Sequence, residues 1–351
     1  MGDAKKPRDQ PDDKTEKEEV GEEVLDEKLD TDMNYRHKYL WRRVLIHVLL
    51  HISWFIGIYT AIFHAKVATN LWMLFLGFWI AEGVSLGAHR GFCHKSFKMS
   101  APLKIFLLIL QTMSGQNSIF SWVRDHKLHH KYSDTDADPH NATRGFFFSH
   151  IGWLLVLRHP LVLEKQRQVD MSDVTSDKLF MFQYRYFLQI YFVLGVLFPV
   201  SVPMYFWNET LWSSFFVAYF VPYVTNLHII WTINSFAHLW GSKTYDKRIK
   251  PKQSLFAWIV TAGEGGHNYH HTFPWDCRLS EYGRMGGLSS TLLEFFNYVG
   301  LAYDLKTASP SVIYGHMKRH GDATGQKRCI EAERRRERED LMEKWLTTLD
   351  C

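Results

Sequence analysis

Cysteine is scarce in this chain and carries no pattern. The four residues, Cys93, Cys277, Cys329 and Cys351, include no CxxC pair, which speaks against a disulfide framework and a thiolate zinc site and suits a reduced, cytosolic setting. Net charge is small, +4 over 351 residues, and does not point to nucleic acid. Its Lys and Arg excess is better explained by loops facing the cytosol. Residues 1–34 hold no aromatic and few apolar residues and are dense in Asp, Glu and Lys; such a segment buries too little apolar surface to order itself. Without an apolar core it is no secretory signal peptide, and Lys6 stands where a myristoylation motif needs Ser or Thr. Residues 321–351 are Arg/Glu-rich and read as a second charged tail, a solvated helix or disordered. No Lys-Asp-Glu-Leu retrieval signal closes the chain.

What the chain does have is long apolar runs, free of charged residues except for Glu82, each near the ~20 residues that cross a bilayer. They cover residues of about 44–64, 71–88, 186–206 and 211–237. The connections at 65–70 and 207–210 are short and imply tight turns on one side. Arg36, Lys38, Arg42 and Arg43 precede the first run, and Lys243, Lys247, Arg248, Lys250 and Lys252 follow the last. The stretch 89–185 holds further Lys and Arg. The positive-inside rule puts both termini and this long loop in the cytosol. The expectation is an all-α integral membrane protein with four transmembrane helices and a cytosolic helical cap, the membrane domain running over 35–320. Residues 103–110 are too short to span; they and segments 255–262 and 292–303 read as interfacial or amphipathic helices.

Nineteen histidines are the unusual feature. A lone histidine is ordinarily a surface or core residue, and His37, His64, His150, His159, His316 and His320 fall there. His47 and His51 are four apart in the first run but lack a third partner; His140 and His228 stay unassigned. Two HxxHH triplets are different. His126, His129 and His130, and again His267, His270 and His271, sit at i, i+3 and i+4, which is one face of a helix. His89 and His94 form HxxxxH, a spacing an ideal α-helix does not align, so they straddle a helix end or serve two ions. His238 ends the fourth run, with Asn234 one turn before it. Nine imidazoles exceed one ion's need, since a structural zinc takes four ligands and a catalytic one three. Two ions with open positions fit better, and nitrogen-rich ligation of that kind suits iron and oxygen activation. Glu264, Asp125, Asp134 and Asp138 are candidates to orient the rings. A histidine-rich metal transporter would want its ligands at mid-depth, whereas these cluster at one end.

HxxxxH, HxxHH and HxxHH in this order, with four spans, resemble the membrane-bound acyl-CoA desaturases, the stearoyl-CoA desaturase family. The resemblance covers about 37–320 and includes Gly87-Ala88-His89-Arg90, Trp122-Val123-Arg124-Asp125-His126, Ala137-Asp138-Pro139-His140-Asn141, Arg144-Gly145-Phe146-Phe147-Phe148-Ser149-His150 and Gly263-Glu264-Gly265 before the last triplet. It implies two irons held by His89, His94, His126, His129, His130, His238, His267, His270 and His271, with Asn234 acting through a water. It implies O2-dependent insertion of a cis double bond into a saturated acyl-CoA in unsaturated fatty acid biosynthesis, at the endoplasmic reticulum membrane. Gln116, Asn117, Trp122 and Trp231 resemble the tunnel lining, and Gly77 and Ala81 fall where the tunnel would end. Arg124, Asp125 and Arg158 resemble contacts to coenzyme A, where a guanidinium fork suits phosphate. The chain has no His-Pro-Gly-Gly haem motif, so electrons would come from a separate cytochrome b5 and its NADH-dependent reductase. A hydroxylase or conjugase on the same di-iron frame is the nearest alternative. The chain departs from the family at Gly91-Phe92-Cys93, Leu157, Ile230, Gly266 and the intramembrane acid Glu82. These changes bear on chain length and double-bond position, not on reaction class.

Overall fold

The computed structural model describes residues 29–349. The expected disordered tail over 1–34 lies outside them except for 29–34, which dock on the cap: Thr31 and Asp32 bond to Asp134 and Asp136. The described residues are mostly helical, with one antiparallel pair of two-residue strands, β1 (Lys98–Met99) and β2 (Ala302–Tyr303).

Four helices among the described residues are long and apolar enough to cross a membrane. Span 1 is Trp41–Phe63, span 2 Val67–Cys93, span 3 Phe187–Trp207 and span 4 Leu211–Leu239. Helices suit this task because each backbone N–H and C=O finds its partner within the segment. The outward side chains of span 1, such as Leu49, Phe55 and Ile62, are exposed, as a lipid-facing surface requires. The chain is a multi-pass membrane protein.

Span 2 runs further than its apolar stretch. Hydrophobicity stops at Ala88, but the helix continues as a π-helical segment, Gly83–Cys93. Arg90 is tolerated there because both terminal nitrogens of its buried guanidinium are engaged, donating to the Cys277 carbonyl at 2.8 Å and Ser290 Oγ at 3.1 Å and pairing with Glu264.

Small residues let the spans approach closely, the usual device of membrane helices. A Cβ on Gly57 would stand 2.5 Å from the Phe216 carbonyl oxygen in span 4. A Cβ on Gly83 would stand 2.5 Å from the backbone of Leu110 and Gln111. The turns 64–66 and 208–210 are knotted on the far side. Lys66 Nζ caps the end of span 3 through the Trp207 and Asn208 carbonyls, and the Glu209 carboxylate accepts from Lys66 N–H and Thr69 Oγ1.

The cap covers the opposite ends. Its helices include α1 (Ala101–Met113), α2 (Ile119–Tyr132), α3 (Leu255–Val260), α4 (His267–Thr272), α5 (Leu288–Tyr298), α6 (Pro310–His320) and α7 (Ala323–Leu349). The second charged tail is therefore largely helix α7. Helix α2 starts at Ser118, whose side chain accepts from Ser121 N–H, an N-cap bond. Its apolar side, Ile119 and Val123, joins Leu86, Phe92, Leu103 and Leu107 in the main buried cluster. That cluster fixes the end of span 2 against α1 and α2, and so fixes the histidines those elements carry.

Candidate metal centre

The nine histidines singled out by spacing come together in two groups. His89, His94, His126, His130 and His270 each offer one nitrogen, all within 4.8 Å of one another. His129, His238, His267 and His271 do the same. Each HxxHH motif is shared between the groups. In α2 the i, i+4 pair His126 and His130 joins the first group and His129 the second. In α4 the pair His267 and His271 joins the second and His270 the first.

His89 and His94 belong to one group, not two, and the local helix explains it. An α-helix does not align residues five apart, but a π-helical turn does. The His94 N–H bonds back to the His89 carbonyl at 3.0 Å, and the two ring centroids lie 5.0 Å apart.

The donor set fits metal ions. Nε2 faces Nε2 at 2.9 Å in the pairs His89–His270, His94–His126, His130–His270 and His238–His267, and at 3.1 Å in His267–His271. Two nitrogens bound at right angles, each about 2.1 Å from one ion, stand about 3.0 Å apart. His129 Nε2 is buried with no hydrogen-bond partner, the position of a lone pair aimed at an ion.

Carboxylates set the tautomers. Asp138 lies 2.9 Å from His129 Nδ1, and Asp134 lies 2.8 Å from His238 Nδ1. An Nδ1–H donated to a carboxylate leaves Nε2 free to bind. Glu264 approaches His89 Nδ1 at 3.7 Å. Asp125 is not among these partners. Its carboxylate accepts from Arg158 at 3.1 and 2.5 Å and from Gln166 at 2.6 Å, with Arg124 at 3.3 Å. Beyond the nine, His140 packs 4.3 Å from the His129 ring and 3.4 Å from Asp138, a closeness no helical spacing signals. On the outer side of α4, Asn268 Oδ1 accepts from Tyr245 and Asp246 N–H, and the Tyr269 hydroxyl donates to Asp276.

Burial, then the neighbouring imidazoles, pushes His126, His130, His267, His270 and His271 well below the usual histidine range. They are neutral at pH 7, the state that binds a metal. His129 goes the other way: burial opposes its charge, but Asp138 outweighs burial. Asp138 and Asp134 are held below the carboxylate range, their histidines overcoming burial.

A cavity of about 240 Å³ lies beside the centre, lined in part by Gln116, Asn117, Trp122, Asp125, Trp231 and Asn234. A smaller space of about 70 Å³ reaches His89, His126, His129, His267 and His270, and Trp122, Ile230 and Asn234 border both. Trp122 stacks 4.9 Å from the His126 ring. The loop carrying Gln116 and Asn117 is held by Gln111, which donates to the Asn117 carbonyl, and by Gln183. Gly77 and Ala81 are not in either lining; the Gly77 carbonyl accepts from Asn226 of span 4. Glu82 is buried, its carboxyl 2.9 Å from Ser289 Oγ. Gly266 is tightly placed, since a Cβ there would come 2.6 Å from the Leu279 carbonyl oxygen.

The sequence profile of the fatty acid desaturase family matches residues 65–288. The chain is 45% identical over 269 residues to an acyl-CoA Delta-9 desaturase of Acheta domesticus, covering 76% of this chain and 75% of that one. It is 46% identical over 263 residues to the stearoyl-CoA desaturase of Homo sapiens (75% and 73%). It is also 47% identical over 269 residues to an (11Z)-hexadec-11-enoyl-CoA conjugase of Bombyx mori (76% and 81%). With spans, histidine groups and profile in agreement, the chain belongs to the fatty acid desaturase family, whose members are oxidoreductases.

Proposed function

We propose that this chain is an acyl-CoA desaturase of the endoplasmic reticulum membrane, with both termini in the cytosol. It introduces a cis double bond into a saturated acyl-CoA. The observation that carries the reading is two convergent histidine groups, of five and four nitrogens, opening towards a cavity at the membrane end of the cap. The nine histidines would hold two irons, with Asn234 acting through a water. A bound iron pair supplies O2 activation strong enough to remove two hydrogens from unactivated methylenes, which side-chain acids and bases cannot do. The overall reaction consumes one O2, two electrons and two protons, and releases two waters with the double bond. Cytochrome b5 and its NADH-dependent reductase supply the electrons, and a basic cap surface suits an acidic partner.

The chain's own residues do the rest. Asp138 and Asp134 fix the Nδ1–H tautomers of His129 and His238. Gln116, Asn117, Trp122 and Trp231 hold the acyl chain and thioester end in the cavity, where a packed wall positions the reacting methylenes. Gly77 and Ala81, outside both cavity linings, would mark the end of a tunnel that runs on between span 2 and span 4. Arg124 and Arg158, oriented by Asp125, take coenzyme A phosphates. The Bombyx mori relative favours a second reading, conjugase chemistry on an unsaturated acyl-CoA.

The test is expression in a desaturase-deficient host with cytochrome b5, and mass spectrometry of fatty acids with double bonds located chemically. A new cis-monounsaturated acid, absent from His129→Ala, is the expected result. A conjugated diene would support the second reading. No new lipid from inserted, iron-loaded protein fed saturated acyl-CoA would overturn both.

A further inference from the structure

Glu82 stands in span 2, seven residues before His89, and the centre described above makes no use of it. Glu82, Ser289 and Ser85 are all buried, and they form a line towards the histidines. The Glu82 carboxyl lies 2.9 Å from Ser289 Oγ, Ser289 Oγ lies 3.1 Å from Ser85 Oγ, and Ser85 Oγ lies 2.7 Å from Glu264 Oε1. Ser85 and Glu264 also line the space of about 70 Å³ that reaches His89, His126, His129, His267 and His270. The line therefore starts on a carboxyl inside span 2 and ends in the wall of the metal centre.

Three contacts need three hydrogens, and two hydroxyls bring two. With both acids ionised, one contact stays empty however the hydroxyls turn, so the third hydrogen sits on one of the acids. Arg90 decides which. Its guanidinium pairs with Glu264, which stays a carboxylate and accepts from Ser85. Glu82 has no such partner. The charged groups acting on it are Arg90, already engaged, and Glu264, itself an acid. Glu82 Oε2 is buried and has no hydrogen-bond partner. A carboxylate bare on one oxygen and without a counter-ion is costly in a protein interior. With the hydrogen on Glu82 every contact is made: Glu82 donates to Ser289, Ser289 to Ser85, and Ser85 to Glu264.

We propose that Glu82 is a proton store, which passes its hydrogen through Ser289 and Ser85 into the small cavity of the centre. This rests on the proposed function, whose reduction of O2 consumes two protons; the store supplies one of them. Glu82 gives its hydrogen to Ser289 Oγ, and Ser289 gives its own to Ser85 Oγ. Ser85 turns from Glu264 to the cavity and gives its own to an oxygen atom derived from O2. Glu82 is left as a carboxylate that accepts from Ser289. No electron moves along the line; the electrons are those of the proposed function. An acyl chain in the cavity shuts out the water that would otherwise bring the proton. When product leaves, a proton from solvent returns along the same line and refills Glu82. Glu82 acts through Ser85 and touches neither substrate nor metal.

The test uses the iron-loaded full chain in lipid nanodiscs, alongside Glu82→Gln and Ser289→Ala. The iron count of each protein reports its folding; where the glutamine variant loses iron, Ser289→Ala carries the kinetic test. Infrared spectra at neutral pH read the store without turnover. Wild type is expected to show the carbonyl stretch of a protonated carboxyl, removed by Glu82→Gln and shifted by Ser289→Ala. Absence of that band from wild type overturns the proposal. Chemically reduced protein with saturated acyl-CoA is then mixed with O2, in water and in deuterium oxide, and O2 consumption is followed. Both variants are expected to consume O2 about 10²-fold more slowly, with unchanged acyl-CoA affinity and a solvent isotope effect that differs from wild type. A variant with two irons and the rate and isotope effect of wild type overturns the relay even where the band is present. Double bonds are scored separately. Wild type that consumes O2 and forms none overturns the desaturase reading, while the band and the isotope effect still decide the relay.

Discussion

Asp138 and Asp125 are acids of similar sequence setting with opposite tasks. Asp138 is buried on His129 Nδ1, whereas Asp125 gathers Arg158, Gln166 and Arg124. Asp138→Asn is expected to lower iron affinity about 10–100-fold, measured by competition with a chelator. Asp125→Asn keeps two irons and instead weakens acyl-CoA binding, which calorimetry reads. Glu264 allows a prediction in pH. Burial alone would raise its carboxyl, but Arg90, then His89 and Ser85, hold it down from 4.5 to about 2. A depressed acid stabilises the fold fully above its ordinary value and loses that contribution as pH falls towards the folded value. In iron-free protein, the melting-temperature gap between wild type and Glu264→Gln should be full at neutral pH and shrink between about pH 5 and 2. An unchanged gap would remove the Arg90 pairing as its cause. The convergence of the histidines was legible because imidazoles at i, i+3, i+4 share one helix face. The roles of the acids were not, because which carboxylate meets a ring depends on loops 133–141 and 261–266, whose path no periodicity encodes.

At the scale of elements, the two HxxHH helices cross-distribute their rings, so neither histidine group is built by one motif. Spacing shows that three rings share a face; it does not show that the face is split between two centres. The π-helical end of span 2 was hidden for a related reason. HxxxxH looks misaligned on 3.6 residues per turn, and only the wider turn makes His89 and His94 neighbours. Span ends were blurred too, since Arg90 reads as a loop residue until Cys277, Ser290 and Glu264 surround it. The wider turn must be held, and Gly83 at its start lets α1 pack directly on span 2. Gly83→Val is expected to force these backbones apart and cost about 1–3 kcal/mol, seen as a lower melting temperature in detergent. An unchanged melting temperature would show that the contact is not a tight one.

Over the whole molecule, the four spans supply a frame and the cap closes it with imidazoles drawn from the end of span 2, α2, the end of span 4 and α4. Hydropathy made the spans plain and the basic stretches suggested one cap side. The cap's course was not legible, because its short helices are amphipathic and connected by long polar loops. The two irons of the proposed function, held by four separate segments, would act as cross-links that bind the folded state alone, stabilising it as ligand exceeds its dissociation constant. Stripping iron should therefore lower the melting temperature and restoring it should reverse the change; equal melting temperatures would deny the cross-link. The most direct measurement is the iron content of purified full-length protein, set against His130→Ala and His271→Ala. The two-centre account predicts two irons per chain in wild type, with each variant losing the ion of its own group first. One ion per chain in wild type, or an iron content indifferent to both substitutions, would contradict it.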